Sequence, residues 1–501
     1  MDLTALQTLG ADNIWGAVWP EVSLGCLALV LLILETVLVR PLHRRIPALS
    51  AFGQVVILGV VLAHLGGPTR TVFNGLLTLT PSGQLMRVFL LLSSIFVTLL
   101  ALKSLPGQRV PRVEFHHIVL VVTAALMLLV ESRNFVMLFV ALETVTVGFY
   151  ILVSYYGANP KSLEAGLKYL VMGALSSALL LFGIVLLYGA AGSPALTART
   201  TEAMQYGPLR GFLEANPSNF LAAAGIVLVL AGIGFKVGAF PFQIWIPDVY
   251  QGAPTPVTAF LAVASKGAGF VVLLVLVTEV FVPYAWLVGP VLAFMAVGTI
   301  LFGNLGALKQ HNVKRLIGLS GVSHAGFILL ALLSASSAPM AIGAIYFYLF
   351  AYLIASFAAF GVMTVLAGPL DSEQELGDYA GLARQSPFLG GVLACALGSL
   401  AGIPPFAGFM AKLLVFVAAY RARHFGLLLI AIAGVVISIY YYFGWIRAAY
   451  FRDQAPVSDD ASARAVAGPG AALAIALALL TAASIVLGVY QGPLATWLAG
   501  P

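Results

Sequence analysis

The sequence predicts an all-α membrane protein with about fourteen transmembrane helices. Three observations predict it. Hydrophobic residues make up 61% of the 501-residue chain and charged ones only 9%, against roughly 25% charged in a soluble domain. The apolar residues come in windows of about 20, the length that crosses a hydrocarbon core as a helix. Alternating short strands, which a membrane barrel needs, are absent from the pattern.

Taken in order, the windows lie near 18–40, 48–66, 85–103, 114–131, 134–156, 164–190, 219–250, 255–280, 283–307, 312–334, 338–367, 386–420, 424–448 and 470–491. Asp2 and Asp12 precede the first window and no basic stretch does, so it does not read as a cleaved signal peptide. The windows 219–250 and 386–420 are too long for one plain span. Both carry internal proline: Pro241 in the first, Pro404 and Pro405 in the second. Proline removes a backbone donor and clashes with the preceding turn, and backbone groups freed inside a bilayer must be met by protein or by a hydrated cavity. Helices seven and twelve are therefore expected to be discontinuous.

Windows four to eight and nine to thirteen form two sets of five, over 114–280 and 283–448. An odd number of helices per unit turns the second copy upside down, and inverted repeats place functional sites near the bilayer midplane on broken helices. A three-helix segment, 1–113, precedes the repeats, and 449–501 follows as a loop and a last helix.

Orientation follows from Lys and Arg in the connections. One side collects fourteen of them, among them Arg40, Arg44, Arg109, Lys309, Lys314, Arg452 and Arg464; the other collects seven, including Arg70, Arg87 and Arg199. Both termini are thus expected outside. The net charge of +6 is mostly this topological bias, and a nucleic-acid surface would need clustering that is not seen. Cys26 and Cys395 are the only cysteines, too few for an ordinary iron-sulfur cluster, and both read as small core residues.

Four lysines cannot be placed in loops or at helix ends: Lys168, Lys236, Lys266 and Lys412. Lys168 has the best case for snorkelling to an interface. Among the acids Glu143, in "FVMLFVALETVTVGFYILVSY", is flanked by apolar residues on both sides. Charges at this depth are costly and read as functional. A lysine whose carboxylate partner approaches and withdraws is a proton-loading switch; the other reading is a static ion pair that only sets packing. His324, in "IGLSGVSHAGFILL", is either a hydrogen-bonded packing residue or a relay that titrates near neutrality. Tyr346, Tyr348 and Tyr352 read as aromatic packing first and as holders of water second. Glu21, Glu35, Glu131 and Glu279 are expected to be solvated near helix ends, Glu114 to cap a helix or take up protons, and the acidic run 371–385 to form a solvated loop.

One long stretch has a specific resemblance. "GIGFKVGAFPFQIWIPDVYQGAPTPVTAFLAVASKGAGF", residues 232–270, resembles the subunit N family of the proton-pumping NADH:quinone oxidoreductase, respiratory complex I, whose antiporter-like sisters L and M carry a different phrase after the shared Trp. "EAGLKYLVMGALSSALLLFG", "ALKQHNVKRLIGLSGVSHAGF" and "GIPPFAGFMAKLLVF" extend the resemblance over most of the chain. It implies fourteen helices with the seventh and twelfth broken, and a switching pair of Glu143 and Lys236. Lys168, Lys266 and Lys412 fall at the family's other proton-transfer positions. The sisters' helix-eleven histidine has no counterpart, which leaves His324 and ordered water as candidates for the relay. The resemblance further implies no cofactor in this chain, with NADH, FMN, iron-sulfur clusters and quinone in other subunits. Its implied neighbours are membrane-arm subunits of the M, K and J types, and high Ala, Gly and Arg with little Lys suggests a bacterial plasma (inner) membrane. The rival expectation is a subunit of a cation/proton antiporter that has the same fold and no redox partner.

Overall fold

The computed structural model describes residues 13–39, 43, 45–107, 110–192, 203–368, 371–372, 374–451 and 468–492. Thirteen helices among them are long and apolar enough to cross a membrane: Trp15–Val37, Ile46–Ala63, Pro81–Ser104, Arg112–Glu131, Phe135–Val153, Pro160–Ala191, Phe220–Val237, Thr255–Val280, Val282–Ala307, Val313–Ser334, Met340–Ala367, Phe425–Phe451 and Ala471–Val489. Pro387–Ala401 and Ala407–Arg421 supply a fourteenth in two pieces. The chain is a multi-pass helical membrane protein, and the spans are numbered one to fourteen in that chain order below. Arg40, Arg44, Arg109, Arg199, Arg452, Arg464 and both termini lie outside the described residues.

The helix starts are chemically marked. Thr80, Asn134, Asn159, Asn219 and Asn312 each accept a bond from a first-turn amide, which satisfies a donor that the helix itself leaves free. Proline stands at the first turn after Thr80 and Asn159, where it has no bond to break.

Spans eight, ten and eleven form the centre, each 94% buried over its most apolar window. Spans one, two, six, nine, thirteen and fourteen are about one-third buried or less and make the periphery. Helices that are apolar all round carry no sequence mark of which face packs inward.

Both expected breaks are present. Span seven stops at Val237, and Gly238, at φ 71°, turns the chain. The Gly238 and Ala239 amides reach back to Phe235 O and Gly234 O at 3.1 and 2.8 Å. A short helix, Ile246–Gly252, follows Pro241. Span twelve repeats the device: Gly402, at φ 84°, ends the first half, and the Gly402 and Ile403 amides both reach Gly398 O, at 3.1 and 3.0 Å. Left-handed glycine with these back-bonds is an efficient helix stop. The terminator in each case is thus the glycine, and the proline expected to break the helix lies beyond its end, where it prevents resumption.

Four features depart from expectation. Residues Arg70–Val72 and Leu77–Leu79 pair as a small antiparallel hairpin between spans two and three. Tyr206–Ala215 forms an amphipathic helix before span seven. Span eight is not a plain α-helix: Leu261–Ser265 and Leu276–Val280 are π-helical, a local widening that is frequent at functional sites. Cys26, expected in the core, is exposed.

A buried row of titratable side chains

Lys236 sits in the last turn of the first part of span seven and is 4% exposed. The helix's free carbonyls make that end partly negative, which suits a cation. Its Nζ donates to Thr146 Oγ1 at 3.0 Å and lies 5.7 Å from the Phe149 ring centroid. Glu143, one turn from Thr146 on span five, accepts from Ser177 Oγ of span six and is half-buried. The two members of the expected switching pair are therefore each held by a hydroxyl of its own, Glu143 by Ser177 and Lys236 by Thr146, which stands one helical turn from Glu143.

Lys412 uses the other break. Its Nζ donates to Leu400 O and Ala401 O at 2.8 and 2.9 Å, the last carbonyls of the half-helix that Gly402 terminates. A Cβ added at Gly402 would lie 2.8 Å from Lys412 Cδ. At this break the half-helix offers its negative end to a buried ammonium, because its last carbonyls are not spent on a further turn.

Lys266 follows immediately on the first π-helical segment. Its Nζ donates to Gly321 O at 2.8 Å and lies 5.8 Å from the Tyr352 ring centroid. A Cβ added at Gly321 would come 2.8 Å from Tyr352 Oη and 3.1 Å from Lys266 Nζ, so both side-chain ends would have to shift to admit it. One turn beyond Lys266, a Cβ at Gly269 would lie 3.6 Å from Lys236 Cγ, so the two lysines are neighbours across spans seven and eight.

His324 joins these groups to the second break. Its ring bonds through Nδ1 to Tyr348 Oη at 2.7 Å and through Nε2 to Tyr442 Oη at 3.1 Å, and its centroid lies 5.1 Å from that of Tyr352. A cavity of about 10 Å³ separates His324, Tyr348 and Tyr352 from Ser399, Leu400, Gly408 and Ala411, the size of about one water molecule. The structure thus brings Lys236, Lys266, His324 and Lys412 into one row between the two breaks. Tyr348, first read as packing, is a direct partner of the histidine. Tyr442 carried no signal, because it is one of three tyrosines in "IYYYFGW" and only packing selects it.

Lys168 does not join the row. Its side chain is 43% exposed and bonds to Glu164 and Asp248 at 2.7 Å each, and Asp248 in turn binds Arg315 Nη1 at 2.6 Å. This network lines an open hollow of about 120 Å³ with Lys161 and Gln251. Because its side chains are 28% to 62% exposed, water screens each pair and its contribution is small. Asp248→Asn is expected to change stability little, with the difference shrinking in high salt, as thermal unfolding at two ionic strengths would show. Lys314, counted among the loop cations, is 1% exposed and pairs with Asp371 at 2.6 Å. Among the described residues no group of three or more His, Cys, Asp and Glu converges as a metal site.

A family model described as NADH:quinone oxidoreductase/Mrp antiporter, TM, matches residues 132–438, which hold every residue of the row. NADH-quinone oxidoreductase subunit N 1 of Opitutus terrae is 62% identical over 502 residues, 99% of each chain. This chain belongs to the subunit N family of NADH-quinone oxidoreductase. A second member of subunit N, from Heliobacterium modesticaldum, is 38% identical over 90% of this chain and 91% of its own. Among solved structures, a chain of respiratory complex I from Thermus thermophilus with bound aureothin matches at a TM-score of 0.79 and 30% identity, over 96% of this chain and all of that one. A chain of the Mrp complex from a Dietzia species reaches a TM-score of 0.81 at 20% identity, covering 96% of both chains, which is a likeness of fold alone.

Proposed function

We propose that this chain is a proton-translocating membrane-arm subunit of NADH-quinone oxidoreductase. The observation that carries the reading is the row from Lys236 through Lys266 and His324 to Lys412: four buried titratable groups, with hydroxyls and a water-sized cavity between them. Buried basic groups at membrane depth are stable only where polar partners meet them, and here those partners are the Thr146 hydroxyl, the Gly321 carbonyl, two tyrosine hydroxyls and the carbonyl end of the half-helix before Gly402. Glu143 is the switch. Its carboxylate, approaching Lys236, holds a proton on the amine, and its withdrawal toward Ser177 releases it. Lys168, at the open hollow with Asp248, is the position from which protons are taken up.

In this reading the chain holds no redox centre and acts as part of a translocase. NADH, FMN, iron-sulfur clusters and quinone belong to other subunits, and the neighbours are of the M, K and J types. The membrane is the bacterial plasma (inner) membrane, with both termini outside. Two inverted units, 114–280 and 283–448, follow the segment 1–113 and precede 449–501; the like glycine stops at Gly238 and Gly402 support that division.

Proton pumping and quinone reduction are to be measured in membranes that carry Glu143→Ala, Lys412→Ala or His324→Phe in this chain. Glu143→Ala and Lys412→Ala are expected to lower pumping at least tenfold, and His324→Phe to lower it less, because the tyrosine hydroxyls remain. Undiminished pumping in all three would sink the assignment. Cation exchange that persists without quinone turnover would favour the antiporter reading.

A further inference from the structure

A second group of charges is buried outside this row, on spans one, three and four. Glu21, Arg87 and Glu131 are 5%, 5% and 1% exposed. All three precede residue 132, where the family match begins. The sequence alone places both acids near helix ends and in water. The tertiary packing overturns that, because spans one, three and four close over them.

Arg87 Nε donates to Glu21 Oε1 at 2.8 Å, while Glu131 Oε1 is 3.8 Å from the same nitrogen. A further guanidinium nitrogen, Nη2, is committed to Ala17 O at 3.2 Å. Among the described residues neither oxygen of Glu131 has a hydrogen bond of ordinary geometry, the Thr80 amide being its nearest backbone donor, and Glu21 Oε2 has none. The first turn of span three abuts Glu131, so closely that a Cβ at Gly83 would lie 2.5 Å from its Oε1. The amides of Gly83 and Gln84 there are already given to Thr80. The other groups near Glu131 do not supply a cation to spare. Arg133 pairs with Glu279 at 3.3 Å, and the neutral Tyr346 stands at Ser82. Two carboxylates facing one guanidinium leave one negative charge unmatched in a dry site, and like carboxylates so placed do not both ionise.

A cavity of about 440 Å³ ends on Arg87, with Trp19, His64, Arg70 and Gln84 among its other walls. Arg70 is exposed, so this cavity connects the guanidinium to the surface.

We propose that Glu21, Arg87 and Glu131 form a proton-binding site that holds one proton on its pair of carboxyl groups and exchanges it with water through the cavity on Arg87. The proton comes from the aqueous phase and returns there, and no other bond is made or broken. The site lies on none of the helices that carry the row, and it stands whether or not that row translocates protons. A charge count, not the environment of a single acid, sets its occupancy.

The test is infrared spectroscopy of the assembled complex, as wild-type minus variant differences in H2O and D2O. Glu131→Gln is expected to remove one protonated-carboxyl C=O band that shifts on deuterium exchange. Glu21→Gln is expected to remove a band of the same area, because either change leaves one carboxylate for one guanidinium. Both variants substitute a neutral isostere for a buried acid and so are expected to assemble. A band that survives in Glu21→Gln, that is absent from the Glu131→Gln difference, or that fails to exchange would overturn the proposal.

Discussion

Lys236→Met is expected to abolish proton pumping by the assembled complex while leaving the chain as stable as the wild type or more so. Methionine keeps the unbranched length that fills the space beside Phe149 and Gly269 and removes the charge. A lysine at the centre of a spanning helix costs roughly 2.5–3.5 kcal/mol by insertion scales. At Lys236 that cost is offset by one hydroxyl and by the helix end, so part of it returns on substitution. Thr146 is not orphaned, because its hydroxyl also donates to Leu142 O at 2.7 Å. Replacing a buried charge by an apolar group of like volume is often neutral or stabilising by about 1–4 kcal/mol. The combination, a more heat-resistant chain in a complex that reduces quinone without moving protons, separates a titrating lysine from a structural one. Thermal unfolding together with proton uptake by inverted vesicles reads it; a destabilised variant that still pumps would mean that Lys236 serves packing.

The second large effect is expected at the other break. Gly408 is the second residue of the second half of span twelve, where that half crosses the first, and a Cβ there would lie 1.8 Å from Ser399 O and 2.6 Å from Ser399 C. Backbone meets backbone at this crossing, so neither side can rotate away as a side chain would. Gly408→Ala must therefore separate the two halves, break the bond from the Gly408 amide to Ser399 Oγ, and intrude on the small cavity that Gly408 lines with His324. Overpacking of this kind costs roughly 1–3 kcal/mol and occasionally more. Gly391→Ala, on the first half of the same broken span but with nothing within 4 Å of its Cβ position, is the control. It is expected to stabilise by up to about 1 kcal/mol, the helix preference of alanine over glycine. If the two variants unfold at the same temperature and pump alike, the crossing does not support the site.

Much of the fold is legible because it depends on local quantities. Hydropathy over about 20 residues identifies a span, and all fourteen windows correspond to spans in the structure. "GFKVGAFPFQIW" already holds the lysine, the stopping glycine and the proline that make a break, since helix termination is decided within one turn. The π-helical turns of span eight left no such trace, because widening a helix by one residue per turn changes neither composition nor hydropathy.

The site divides along the same line. Lys236, Lys266 and Lys412 stand out from sequence because a charge in an apolar window is conspicuous wherever it packs. Lys168 stood out for the same reason, yet its neighbours across the fold are Asp248 and Arg315 at an open hollow. Glu21 and Glu131 failed in the opposite sense. Near a helix end water is the default partner, and only the closing of three helices over Arg87 removes it.

The sequence by itself determined that this chain crosses a membrane many times, where two of its helices stop, and that Lys236, Lys266 and Lys412 must be met by something other than bulk water. Only the tertiary structure decided what meets them: Thr146 for Lys236, the Leu400 and Ala401 carbonyls for Lys412, two tyrosines for His324, and one arginine between two acids. The physical reason is that burial and helix termination are local costs, readable along the chain. Partnership between charges is set by the rotation and register of helices that are apolar on every side, and such helices are oriented by packing alone.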